Sequence, residues 1–194
     1  MEEYKIEKLP AKYNRIVIIG MPCSGKSSIG RMIAAHYGLE FYDLDTAIEQ
    51  AAGMTIEQIF RTQGEGEFRR IETEVTDRMS KTCGAVLATG GGIVTKPANM
   101  ALLKQPDSFI VYIHRDFYKI ATTPKRVMEK RPILQHTSYD KLLTLYKQRL
   151  PLYRMYADCE VKNDKNRDES IRSILQELDR VLLDEPKEDS QCDF

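Results

Sequence analysis

The residues with the clearest chemical potential lie between Gly20 and Ser27, where Gly20-Met21-Pro22-Cys23-Ser24-Gly25-Lys26-Ser27 has the form Gly-x-x-x-x-Gly-Lys-Ser. Glycines at both ends let the backbone turn tightly and approach an anion closely, so that N–H groups point at phosphate oxygens. Lys26 reaches the terminal phosphates, and the Ser27 hydroxyl suits a magnesium ion. Gly20, Pro22, Cys23, Ser24, Gly25, Lys26, Ser27 and Ser28 are therefore expected to hold ATP, with Mg2+ beside it. Cys23 lies near a helix N-terminus, where a thiol pKa can fall; the plainer reading is a small residue in a tolerant position. Two carboxylates follow. Asp43 and Asp45 end a short extended segment, two residues apart, so their side chains can point the same way. One can support magnesium through its water shell while the other takes the acceptor's hydroxyl proton, two tasks of phosphoryl transfer. Capping of a helix that starts near Thr46 competes with this reading and is compatible with it.

The elements that must position these groups are legible in the pattern. Arg15-Ile16-Val17-Ile18-Ile19 is a short β-branched run ended by glycine, which reads as a buried parallel strand feeding the loop. Ile29, Met32, Ile33 and Tyr37 recur at helical spacing, and Gly38 stops that helix. Strand, glycine loop and helix in that order aim a helix N-terminus at an anion. Phe41-Tyr42-Asp43 reads as a second strand, and the stretch from Thr46 to Ser80 as helical, with turns at Gly53, Gly64 and Gly66. Ala85-Val86-Leu87-Ala88 is a strand before Gly90-Gly91-Gly92, and Ser108 to Ile113 is another. Arg115 to His136 reads as a short helix leading into a charged, mobile segment suited to a lid. A helix is expected from Tyr139 to Tyr156 with a kink or break at Pro151, an edge strand at Cys159-Glu160-Val161, and a last amphipathic helix carrying Ile171, Ile174, Leu175, Leu178, Val181 and Leu182. Alternating strands and helices predict a three-layer α/β fold around a parallel sheet.

The 194 residues suit one domain, 1–184, with a polar leader over 1–14 and an acidic, disordered tail over 185–194. Acidic and basic residues balance at 29 each, which argues against nucleic-acid and membrane partners and for a small molecule. Cys23, Cys83, Cys159 and Cys192 form no CxxC pair, as expected in a reducing cytoplasm. No run approaches the roughly 18 apolar residues a spanning helix needs.

The phosphate loop alone serves kinases, GTPases, motors and switches. No Asn-Lys-x-Asp guanine signature is present, and the strand Ala85 to Ala88 ends in threonine and glycines rather than a magnesium-holding aspartate. Six pieces in order, GMPCSGKSSIGR, FYDLDTAIE, TIEQIF with GEGEFRRIE, ATGGGIV, RPIL and RLPLYR, resemble the shikimate kinase family from about Ile16 to Leu182. The resemblance implies a P-loop kinase fold with a five-stranded sheet in the order 2-3-1-4-5, a shikimate-binding helical region over about 44–72 and a lid over about 123–138. It implies transfer of the ATP γ-phosphate to the 3-hydroxyl of shikimate, in the route to chorismate and the aromatic amino acids, by a cytoplasmic enzyme expected to be a monomer. It implies Asp45 as the base that also binds the shikimate hydroxyls, Asp43 with Ser27 near magnesium, and Arg69, Arg149, Gly91 and Gly92 on the substrate. Lys26 and the lid residue Arg131 would stabilise transferred charge. Planar arginine forks match a carboxylate better than lysine does; unaided, each would read as a solvated surface charge.

The sequence departs from that family between Phe117 and Arg131. Where an adenine-stacking arginine is usual, this chain has Thr123 and Pro124, and Arg126 is the expected substitute. His36, His114 and His136 match no family role. A kinase of another small metabolite, such as gluconate, shares the loop without needing the two arginines and the triple glycine. A noncatalytic ATP-binding switch would not need Asp45.

Overall fold

The computed structural model describes residues 8–123 and 138–183. Five strands, β1 (Arg15–Ile19), β2 (Glu40–Asp43), β3 (Ala85–Ala88), β4 (Ser108–His114) and β5 (Cys159–Lys162), form one sheet in the order β2-β3-β1-β4-β5. Each pairing is parallel, with Arg15 opposite Ala85 on one side and Ser108 on the other. The central strand β1 is buried along its whole length, as a β-branched run covered on both faces should be.

Period-two alternation divides its side chains between two cores. Ile16 and Ile18 join Val86, Phe109, Val111 and Ile113 under helices α1 (Lys26–Tyr37) and α8 (Arg167–Leu183). Val17 and Ile19 join Leu87, Ile110 and Tyr112 under α2 (Leu44–Ala52), α3 (Ile56–Thr62), α4 (Gly64–Met79), α5 (Pro97–Leu103), α6 (Phe117–Ala121) and α7 (Tyr139–Tyr156). Ile174, Leu175, Leu178 and Leu182 of α8 are buried, and each contributes roughly 1.5–3 kcal/mol of apolar burial.

Parallel strands place every strand's C-terminal end on the same edge, where ligands of open α/β sheets bind. Gly20, Asp43, Thr89, Arg115 and Asn163 follow or end the five strands and so gather on that edge.

Three local expectations need correction, the turn at Gly66, the start of α2 and the break at Pro151, and one stretch of helix was not expected. The helical stretch after β2 is three helices broken at Gly53 and Gly64, both at positive φ, whereas Gly66 lies inside α4. Helix α2 begins at Leu44 rather than near Thr46. Helix α7 runs unbroken through Pro151, because its apolar side is held by the core below. Helix α5 and the 3-10 turn before it, Ile93–Thr95, lack the periodicity that would show them in the sequence. Among the described residues no helix is long and apolar enough to cross a membrane.

Candidate active site

Strand β1 delivers the chain to Gly20 and α1 leaves at Lys26, so the loop between them wraps the helix N-terminus. Gly25, the N-cap, has φ 96°, and a Cβ there would lie 2.6 Å from Asn163 Nδ2. Only glycine satisfies both demands. Asn163 Nδ2 donates to Ser24 O at 2.8 Å and Arg115 Nη1 to Cys23 O at 2.9 Å. Lys26 is 5% exposed, with Nζ donating to Gly20 O at 2.9 Å and Met21 O at 2.8 Å; these carbonyls hold the ammonium at the mouth of the cradle. Ser24 Oγ is buried there with no hydrogen-bond partner among the described residues. A buried hydroxyl left this way is costly, and phosphate oxygens would satisfy it.

Cys23 is, among the described residues, the one non-glycine position with positive φ, at 64°. That left-handed conformation costs a residue with a Cβ roughly 1–2 kcal/mol. Cys23→Gly is therefore expected to raise the melting temperature by about 2–4 °C, measured by circular dichroism. An unchanged or lowered value would show that the loop carries no such strain.

Asp43 ends β2 and is also the N-cap of α2, its Oδ1 accepting from Asp45 N at 3.0 Å. Asp45 lies in the first helical turn, so the extended geometry read from the sequence does not hold. Capping draws Asp43 back onto the helix N-terminus. Its other oxygen, Oδ2, accepts from Ser27 Oγ at 2.5 Å. Hydroxyl and carboxylate oxygens are the hard donors Mg2+ takes, so Ser27 and Asp43, side by side here, would hold that ion, which would neutralise phosphate charge. Among the described residues no three acidic, histidine or cysteine side chains gather into a metal cage, so an ion here would take its remaining ligands from phosphate and water.

On the other side of the phosphate loop, the Gly90-Gly91-Gly92 turn after β3 serves as a ruler for its neighbours. A Cβ on Gly90 would lie 2.8 Å from Asp45 Oδ1, and one on Gly91 2.5 Å from Pro22 Cδ. The turn thus packs directly against the phosphate loop. A Cβ on Gly92 would lie 3.2 Å from both Arg69 Nη1 and Nη2, and 3.5 Å from Arg149 Nη2. Two guanidiniums from α4 and α7 therefore converge on a turn that also faces Asp45.

Each guanidinium is tied to its neighbours. Arg69 Nη1 donates to Glu72 Oε2 at 2.8 Å and Nη2 to Glu65 Oε1 at 3.3 Å. Glu72 is 2% exposed; burial holds its carboxyl above the usual range, with Arg69 opposing and Asp45 adding to the rise. Arg149 Nη1 donates to Gly91 O at 3.1 Å, and Tyr153 OH donates to the same oxygen at 2.6 Å. Tyr153 is fully buried and stacks on Tyr112 at 5.0 Å between centroids.

The structure thus brings together Gly20, Pro22, Cys23, Ser24, Gly25, Lys26, Ser27, Asp43, Asp45, Arg69, Gly91, Gly92 and Arg149. Ser28 lines a cavity of about 270 Å³ beside the loop with Gly25, Arg115, Lys119, Lys165 and Arg167. Arg126 and Arg131 lie outside the described residues, with most of the expected lid. Glu72 and Tyr153 lie within GEGEFRRIE and RLPLYR, which give them no role; their signal is spacing, three residues after Arg69 and four after Arg149, which shares a helical face. His36 pairs with Asp179 at 2.9 Å, and His114 with the Tyr146 hydroxyl at 2.9 Å, both structural contacts.

A profile of the family described as shikimate kinase matches residues 22–179. A protein named shikimate kinase from Clostridium beijerinckii is 35% identical over 171 residues, covering 88% of this chain and 96% of that one. Another of that name, from Halorhodospira halophila, is 39% identical over 174 residues, covering 89% and 96%. A solved structure of shikimate kinase from Acinetobacter baumannii in complex with shikimate superposes with a TM-score of 0.74 at 33% identity, covering 88% of this chain and 93% of that one.

Proposed function

This chain belongs to the shikimate kinase family and, as an ATP-dependent kinase, phosphorylates shikimate; we propose how its residues divide the work. The observation that carries the assignment of the acceptor site is the convergence of Arg69 and Arg149 on Gly92 with Asp45 against Gly90. Two planar cations suit a carboxylate, and a carboxylate base suits a hydroxyl, so the cleft has the parts needed by a hydroxylated ring acid.

In this reading Arg69 and Arg149 take the shikimate carboxylate, and the Gly91 and Gly92 backbone lies beside the ring. Asp45 accepts the proton of the 3-hydroxyl as its oxygen bonds to the γ-phosphorus and the bond from that phosphorus to ADP breaks. Lys26 and, from the lid, Arg131 spread the charge on the transferred group, while Arg126 contacts adenine. Ser27 and Asp43 would hold Mg2+, which supplies charge neutralisation on the phosphates. Positioning and electrostatics supply most of the rate, as expected where the transition state needs little covalent help. The products are shikimate 3-phosphate and ADP.

A coupled ADP-release assay with MgATP and shikimate, quinate or gluconate tests the acceptor. Turnover is expected with shikimate and absent with gluconate; gluconate-dependent turnover without shikimate-dependent turnover would transfer the cleft to the rival acceptor.

A further inference from the structure

We propose that Arg115 is a positioning residue of the phosphate loop, holding the Cys23 carbonyl so that a non-glycine residue stays in the left-handed conformation the cradle requires. The proposal rests on the reading of Gly20 to Ser27 as the ATP site and adds a residue to it. Arg115 follows β4 and is half-buried; its Nη1 donates to Cys23 O at 2.9 Å, and its Nε is buried with no hydrogen-bond partner among the described residues. The contact spans 92 positions of sequence, so it ties the loop to a different strand of the sheet.

The geometry explains why that contact matters. In a trans peptide the carbonyl and the next N–H point to opposite sides. Arg115 fixes carbonyl 23 and Asn163 fixes carbonyl 24 from outside the loop. The Ser24 N–H, on the opposite side of the same peptide, donates to Met21 O at 3.2 Å, so the 23–24 peptide is held at both its carbonyl and its N–H. Asn163 acts beside Gly25, which accepts positive φ without strain, whereas Arg115 acts on Cys23, which does not. Without the Arg115 anchor, rotation of the 23–24 peptide would relieve Cys23, break the Ser24 N–H bond to Met21 O and deform the loop that wraps the phosphates.

Arg115 also lines the cavity beside Ser28 with Lys119, Lys165 and Arg167, so a direct charge effect on the nucleotide must be separated from the effect on Cys23. A cycle of Arg115→Ala, Cys23→Gly and the double variant does this, read by calorimetric ADP affinity and by the KM values for ATP and shikimate. Arg115→Met, which keeps the aliphatic stem, stands in if the alanine variant melts early. Loss of Arg115 alone is expected to weaken ADP binding about tenfold with the shikimate KM unchanged. In the Cys23→Gly background the same loss is expected to cost less than about threefold, because glycine holds the conformation unaided. ADP affinity untouched by loss of Arg115 would overturn the proposal. So would an equal loss in both backgrounds, which would make Arg115 a direct charge on the nucleotide. A wild-type chain that bound no ADP would overturn the nucleotide reading itself, and the clamp with it.

Discussion

Asp45→Asn is expected to lower kcat by about a thousandfold, within the range general bases contribute, while ADP affinity stays within about twofold of wild type. The amide is nearly isosteric and cannot take the hydroxyl proton. Asp45 lies in the first turn of α2, with Oδ1 against Gly90 and its backbone N–H bonded to Asp43, so the substitution leaves the Asp43 cap and the Ser27 contact in place. Single-turnover kinetics with saturating shikimate and MgATP read the chemical step directly. A variant that retained more than about a tenth of the rate would remove Asp45 as the base. Weakened ADP binding would instead place its charge at the metal, the role proposed for Asp43.

Arg69→Ala is expected to raise the KM for shikimate by about 30- to 100-fold, the effect of losing a charged hydrogen-bonding fork, with the KM for ATP little changed. The same substitution strips the buried Glu72 of its ion-pair partner, which costs up to about 3 kcal/mol. The two effects separate in the double variant Arg69→Ala/Glu72→Gln. A neutral Gln removes the uncompensated charge and is expected to restore the melting temperature while the shikimate KM stays high. If KM recovered with stability, Arg69 would be a structural partner of Glu72 rather than a ligand of the acceptor.

These two variants address the part of the site that the fold assembles from remote pieces. Asp45 comes from α2, Arg69 from α4, the glycine turn from the end of β3 and Arg149 from α7. The order of strands on the sheet brings them together: β3 lies between β1 and β2, so its terminal turn is flanked by the phosphate loop on one side and the Asp43–Asp45 segment on the other.

The sequence alone determined the phosphate loop, because its function follows from local backbone geometry: glycines at two fixed positions, a lysine and a serine at the start of a helix. It likewise determined the strands, β1, β3 and β4 by short bounded apolar runs and β2 and β5 by short extended stretches, and the apolar face of α8. Six motifs in order sufficed for the resemblance to a family, since each is a local string. What depended on non-local packing was not legible. Helix α5 is short and capped without a side-chain hydrogen bond, and Pro151 is carried within α7 by tertiary contacts that outweigh its local preference. The sequence offers the two aspartates as an extended pair or as a helix cap; the structure makes Asp43 the cap and also a Ser27 partner, because the helix N-terminus competes for its oxygens. Glu72 behind Arg69, Tyr153 behind Arg149 and Arg115 behind Cys23 became visible only when the chain was folded. A side chain that orients another acts through distance and direction, which for Arg115 and Cys23 the sheet sets across 92 residues.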